Sequence, residues 1–406
     1  MRLLHTSDWH LGQLLHGHDR HAEHAAFLDW LLRQLQQRDI DALLIAGDIF
    51  DSANPSADAQ RLYYSFLARA GQCCPQLQIV VIAGNHDSPM RIDAPAAVLQ
   101  ALRVHVIGQY RKGAGSDERV RVALRRRDGS VGALVLAVPF LRPGDLPEGH
   151  GGAYAQGIAA VYRREVDAAL TVRQPDQALL ALGHLHVLGG QLSELSERRL
   201  VIGGQEAVSA SLFPAELAYV ALGHLHLAQQ IGEPRIRYSG SPLPLSFSEI
   251  GYPHQIVELS LDGAQLASIE AVAVPRPAPI LRIPATHLPL KQVLPLLQAL
   301  DYADVPIGLQ PLIEVLVERA WGDPDPTPEL RAALEGKAVR LAAIKAVRPA
   351  NNANTPANAP RLSIDELKPA PLFERLVREQ TGSEPAPDLW SAFGELLNLA
   401  EHGEPS

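Results

Sequence analysis

The chain has 406 residues, 47% of them hydrophobic and 20% charged, with a formal net charge of −9. That length exceeds one ordinary core and predicts two or three domains in a globular body, while the acidic balance argues against a free-standing nucleic-acid binder with a broad basic face. No apolar run is longer than a strand, which excludes a membrane span. The start carries no signal-like apolar stretch, and the only cysteines, Cys73 and Cys74, are adjacent, an arrangement that rarely makes a structural disulfide. The cytoplasm is the expected compartment.

From the start to about residue 275, short apolar runs alternate with helical stretches. Strands are predicted over 2–6, 42–46, 79–83, 131–138, 178–182, 218–222, 235–238 and 255–259, and helices over 22–37, 58–70 and 95–102. The strands read as continuous Val/Ile/Leu/Ala runs, as expected for a sheet covered on both faces. Five of them end in the same way. The first runs into Asp8-Trp9-His10, the second into Gly47-Asp48-Ile49-Phe50-Asp51 and the third into Gly84-Asn85-His86-Asp87. The string ALGHLH then occurs twice, at 181–186 and 221–226. Ligands gather at the carboxyl ends of strands in α/β sheets, so five such endings predict one shared site.

After about residue 280 the pattern changes. A strand at 280–283, a helix at 289–299, a strand at 312–319, a helix at 328–334 and a strand at 339–347 predict a small α/β capping domain over 280–348. The Pro/Asn/Ala stretch 349–361 is a linker by composition. Beyond it, 362–402 reads as two amphipathic helices, with Leu372, Phe373, Leu376 and Val377 on one and Leu389, Trp390, Phe393, Leu396 and Leu397 on the other. A hairpin this small cannot bury its stripes alone, and the long linker favours a partner protein as its occupant.

Each ending is weak alone, because Gly-Asp after a strand is often only a turn. Together they supply carboxylates, imidazoles and an amide, a set suited to Mn²⁺, Fe or Zn²⁺ rather than Ca²⁺ or thiol-loving ions. Seven candidate ligands (Asp8, His10, Asp48, Asn85, His184, His224 and His226) are more than one ion needs and, with one carboxylate bridging, suit two. Two ions roughly 3.5–4 Å apart clamp the oxygens of a phosphoryl displacement and acidify a water between them. No side-chain nucleophile is then required.

This series of motifs resembles the calcineurin-like metallophosphoesterases over roughly residues 1–260. The resemblance implies a pair of packed mixed sheets flanked by helices. A narrower similarity, to a bacterial nuclease branch of the family, rests on Thr6 to Gly12, on LHGHDRHAEH at 15–24 and on YSGSPLPLSF at 238–247. It implies that Asp8, His10 and His226 hold one ion, that Asp48 bridges, and that Asn85, His184 and His224 hold the other, Mn²⁺ being the ion expected. His86 would contact the scissile phosphate, oriented by Asp51, while Asp87 is left as a loop-capping carboxylate. His186 is left at the rim, His16 and His18 in a loop able to approach DNA, and His21 and His24 on an exposed helix start.

The activity implied is cleavage of DNA at duplex ends, hairpins or single strands, in repair and recombination. The implied partners are a coiled-coil ATPase gripped by the hairpin and a second copy of the chain, giving a heterotetramer; helices 22–37 and 58–70 are plausible dimer surfaces, although their apolar faces could equally just cover the sheet. A small-molecule phosphodiesterase or phosphatase of the same family is the main alternative, distinguished by having no use for a cap, linker and hairpin. A non-catalytic scaffold would have lost ligands that are all present here.

Overall fold

A computed structural model describes residues 1–113, 115–147, 153–191, 207–320, 322–348, 370, 373–374, 376–378 and 382–402. The linker expected at 349–361 lies outside them. In chain order the strands are β1 (Arg2–Thr6), β2 (Leu14–Leu15), β3 (His18–Asp19), β4 (Ala42–Ala46), β5 (Gln78–Ile82), β6 (Val104–Ile107), β7 (Arg121–Arg125), β8 (Val131–Ala137), β9 (Ala178–His184), β10 (Tyr219–Gly223), β11 (Gln229–Ile231), β12 (Glu233–Tyr238), β13 (Gln255–Asp262), β14 (Gln265–Ala273), β15 (Ile280–Pro289), β16 (Leu312–Glu318) and β17 (Arg340–Val347). The helices are α1 (His21–Gln37), α2 (Ala57–Cys73), α3 (Pro89–Asp93), α4 (Ala96–Gln100), α5 (Tyr154–Val172), α6 (Leu290–Gln298), α7 (Thr327–Ala333) and α8 (Pro387–His402).

Two six-stranded mixed sheets form the body, in the orders β14-β13-β1-β4-β5-β6 and β11-β12-β10-β9-β8-β7. In the first, β1, β4, β5 and β6 run parallel; in the second, β8, β9, β10 and β12 do. The strand period of two explains why β4 is apolar throughout. Ala42, Leu44 and Ala46 join the core between the sheets, whereas Leu43 and Ile45 join the core beneath the helices. α1 covers that outer face with Phe27, Leu28, Leu31 and Leu35, and α2 with Tyr63, Phe66 and Leu67. The Ser56 side chain caps α2 by accepting from the Ala59 amide at 3.2 Å. The apolar faces of α1 and α2 thus cover their own sheet.

The small third sheet, β15-β16-β17, is parallel, and α6 and α7 pack on it around Val293, Leu297, Ile313, Val315 and Leu330. It is continuous with the body: residues 1–348 form one compact unit. A minor core joins Leu15 and Phe247 of the body to Ile280 and Leu312 of the small sheet.

Residues 349–406 form the second unit. Within it α8 is helical as expected, and the Phe373 ring stacks on Phe393 with centroids 4.0 Å apart, while Trp390 meets both edge-on. Leu372 lies outside the described residues.

Candidate metal centre

Four predicted ligand residues sit in the left-handed region of backbone space: Asp8 (φ 54°), His10 (φ 46°), Asp48 (φ 49°) and His224 (φ 105°). Non-glycine residues rarely adopt it, and they persist there only where the surroundings over-determine the conformation, typically at functional sites. The surroundings here are backbone. The Asp8 amide donates to Gly47 O at 3.0 Å and the His10 amide to Asp48 O at 3.1 Å, so the loops after β1 and β4 are zipped together. A Cβ on Gly47 would lie 2.4 Å from His184 Nδ1, and one on Gly84 would lie 2.1 Å from Asp48 Oδ1. Both positions require glycine because the ligand loops approach so closely.

Every predicted ligand arrives at one place. Donor atoms of Asp8, His10 and His226 lie within 4.8 Å of one another, as do those of Asp8, Asp48 and His184. Asp48 thus stands between two groups, its Oδ2 3.5 Å from His10 Nε2 and 3.4 Å from His184 Nε2. Asn85 Oδ1 lies 3.0 Å from both His184 Nε2 and His224 Nδ1. The His184 ring is aimed by a bond across to the other sheet: Nδ1 donates to Ala46 O of β4 at 2.8 Å, which leaves Nε2 facing the site.

The electrostatics are those of a cation site. Asp8 and Asp48 are buried together. Burial pushes the Asp8 carboxyl above its ordinary range. The same burial acts on Asp48 but is outweighed by the His184 and His10 rings, which hold it well below. Burial also opposes the charge on His184, yet the Asp48 carboxylate lifts it to about 9. Both His10 ring nitrogens are buried without a well-formed hydrogen bond, with only the longer approaches of Asp48 at 3.5 Å and Asp51 at 3.3 Å. Buried imidazole nitrogens among carboxylates are what a ligand set for divalent cations presents.

His86 lies at the open side, half-buried, with its ring 4.9 Å from that of His10. Its amide donates to Asp48 Oδ1 at 2.9 Å, and its Nδ1 donates to the main-chain carbonyl of Asp51 at 2.8 Å. Asp51 therefore orients His86, but through its backbone, and the expectation of a carboxylate partner is corrected. The Asp51 carboxylate turns instead to His10 Nδ1, 3.3 Å away. A main-chain carbonyl also holds the Nδ1 proton and sets the ring tautomer, which leaves the Asp51 side chain to meet the neighbouring histidine. Asp87 accepts from the Gly84, Ile49 and Phe50 amides at 2.8, 3.1 and 3.0 Å; it caps the loops, as expected.

The chain matches the profile of calcineurin-like phosphoesterases over residues 1–228 and that of the "type 5 capsule protein repressor C-terminal domain" over 276–381. It is 43% identical to the SbcCD nuclease subunit SbcD of Rhodobacter capsulatus over 383 residues, covering 92% of this chain and 93% of that one. The chain belongs to the SbcD family of calcineurin-like phosphoesterases. SbcD relatives from Escherichia coli K12 (38% identical, covering 69% of this chain and 70% of theirs) and Bacillus subtilis (35%, covering 71% and 73%) are also similar. As an SbcD-family member the chain is a metal-dependent phosphodiester hydrolase.

Several residues of this SbcD-family site do not stand out in the sequence. Glu249 is fully buried, and its Oε1 accepts from His226 Nδ1 at 2.9 Å. A carboxylate behind a ligand histidine fixes the tautomer and the ring. Ser7 Oγ bridges Asp8 Oδ2 and Ser239 Oγ, the latter at 2.8 Å, which ties the YSGSP stretch to the first ligand. Glu249 carries no local signal, because its partner is 23 residues away, and the role of Ser239 within its stretch depends on a partner 232 residues away.

Among the other histidines, His186 is half-buried with its ring 6.5 Å from His224. His16 is exposed beside Phe247, and His18 bonds Leu341 O at 3.1 Å. His24 is corrected: it is 1% exposed, on the inner side of α1 rather than an exposed start. The cause is helical period, since His24 shares its face with Phe27, Leu28 and Leu31.

Proposed function

We propose that the chain is a two-metal DNA nuclease subunit that works with an SbcC-type coiled-coil ATPase. The observation that carries this is the convergence of donors from five strand ends around Asp48, with His86 at the open side. Asp8, His10 and His226 would hold one ion, Asn85, His184 and His224 the other, with Asp48 shared between the two groups. Two such ions, Mn²⁺ in our reading, neutralise a phosphodiester and acidify water at neutral pH.

The chain's own residues do the rest. The loop contacts hold seven donors in fixed positions before substrate arrives, so little reorganisation is left for the reaction. His86, its Nδ1 proton engaged by the Asp51 carbonyl, presents Nε2 to the phosphate and steadies the leaving oxygen.

DNA as substrate is supported by the nuclease name of relatives that cover nearly the whole chain. Their name also marks them as one subunit of a larger complex. The C-terminal unit suits the grip on that ATPase: its aromatic contacts leave Leu389 and Leu396 exposed. A second copy of the chain completes the heterotetramer. Both cysteines are free, which suits a reducing compartment such as the cytoplasm. No helix among the described residues is long and apolar enough to cross a membrane.

The test is cleavage of duplex ends, hairpins and single strands with Mn²⁺, with and without the ATPase. Metal-dependent cutting of at least one DNA form is expected. Activity confined to small phosphodiesters would overturn the DNA reading.

A further inference from the structure

The small domain of residues 280–348 contacts the body where the least obvious support of the metal site lies. Glu249 sits in the turn Phe247–Glu249, and that turn is held from both sides. On one side, Phe247 belongs to the minor core with Ile280 and Leu312 of the small sheet, and Arg282 Nη2 donates to Phe247 O at 3.3 Å. On the other, a buried chain of charged groups runs from β17. Arg340 Nη2 donates to Glu23 Oε1 at 3.4 Å, and Glu23 Oε2 accepts from Arg20 Nη2 at 2.7 Å. Arg20 Nη1 donates to Pro244 O at 2.6 Å and to Gln13 Oε1 at 2.8 Å, and Gln13 Nε2 donates to Leu245 O at 2.9 Å. The Leu245 amide then donates to Glu249 Oε2 at 2.7 Å, while Glu249 Oε1 holds His226.

We infer that the small domain positions the metal ligand His226, through Arg340 and Arg282 acting on the segment 244–249. Both are positioning residues. The inference rests on the proposed assignment of His226 to one ion of a pair. Its physical basis is that the charged members of the path are buried. Arg20 and Glu249 are 0% exposed, Glu23 1% and Arg340 7%. Buried charges of this kind are costly unless every partner is in place. Close-packed surroundings pass a displacement on instead of absorbing it. Loss of Arg340 leaves Glu23 with one guanidinium in place of two, so Arg20 is redrawn toward Glu23 and away from the carbonyls it holds. The segment that aims Glu249 then loses a fixed donor.

The experiment is a Mn²⁺ titration by calorimetry on the full chain, with thermal melting of each preparation. Wild type, Arg340→Met, Arg282→Met, His226→Ala and the Arg340→Met/His226→Ala double variant are compared. Arg282 is a half-exposed second probe, which keeps the test decisive if Arg340→Met fails to fold. The expected result is that each Arg variant weakens one of two binding events about 3- to 10-fold and leaves the other unchanged, and that Arg340→Met adds nothing once His226 is gone. Folded Arg variants that bind both ions as wild type does would overturn the inference, as would equal loss of both ions. A wild-type protein that binds a single ion would remove the two-ion reading itself, and the inference with it.

Discussion

Glu249 Oε1 lies 2.9 Å from His226 Nδ1, and both groups are buried. This pair fixes which ring nitrogen of His226 carries the proton. Replacing Glu249 by Gln keeps the shape and removes the charge. Mn²⁺ affinity is expected to fall roughly 10- to 100-fold, read by calorimetry on the purified chain. Unchanged affinity would show that Glu249 serves only the fold.

His86→Ala is expected to lower DNA cleavage by roughly 10²- to 10⁴-fold while metal content stays at the wild-type level, because His86 is not among the seven proposed ligands. Asp48→Ala is expected to abolish binding of both ions, since its carboxylate stands between both ligand groups. Metal analysis of the two variants separates these roles.

The two functions of Asp51 can be pulled apart. Asp51→Ala keeps the carbonyl that accepts from His86 Nδ1 and deletes the carboxylate beside His10. The expected phenotype is a raised Mn²⁺ requirement with a nearly normal rate at saturating metal. A rate loss that excess Mn²⁺ does not restore would return the carboxylate to His86.

Gly47→Ala places a methyl 2.4 Å from His184 Nδ1 at a φ of +90°. Strain and lost ligand geometry act together, and the variant is expected to be destabilised by about 1–3 kcal/mol and to bind one ion poorly. Chemical denaturation with and without Mn²⁺ checks it.

His5 lies in β1, fully buried, between the Tyr219 hydroxyl at 3.0 Å and Leu222 O at 3.2 Å. Burial drives its pKa down to about 3. In the unfolded chain it titrates near 6.5, so between these values the unfolded state binds the extra proton. Its contribution is complete above about pH 6.5 and is lost as pH falls toward 3, amounting to about 3 kcal/mol by pH 4. In EDTA, His5→Gln is expected to flatten the fall in stability between about pH 6.5 and 4; an unaltered slope would exonerate His5.

Much of the fold and the site is legible in the sequence where it depends on neighbours along the chain. β1 and β4 lie where their apolar runs place them, and the ligands follow the strand ends because a parallel sheet delivers its carboxyl ends to one edge. α5 escapes a sequence reading because Ala residues on every face blur its apolar periodicity, although Ile158, Val161, Tyr162 and Val166 are its buried side. β14 escapes it as an exposed edge strand without an apolar run. The twin ALGHLH strings show the limit most clearly. In the structure Gly223 pairs with His184, so the copies are staggered by one residue. His184 is still in its strand, while His224 has turned to a φ of 105°. That stagger, set by tertiary pairing, places the histidines of the two copies differently at the site although the spelling is the same.

A metal-dependent phosphodiester centre that acts on DNA is tested most directly by one assay. Wild type and His86→Ala, with metal content measured on the same preparations, are incubated with a duplex DNA end and Mn²⁺ in the presence of the ATPase. Wild type is expected to cut, EDTA to stop it, and His86→Ala to keep two ions per chain and leave the DNA intact. Cutting by His86→Ala at the wild-type rate, or intact DNA with the metal-loaded wild type, would contradict this mechanism.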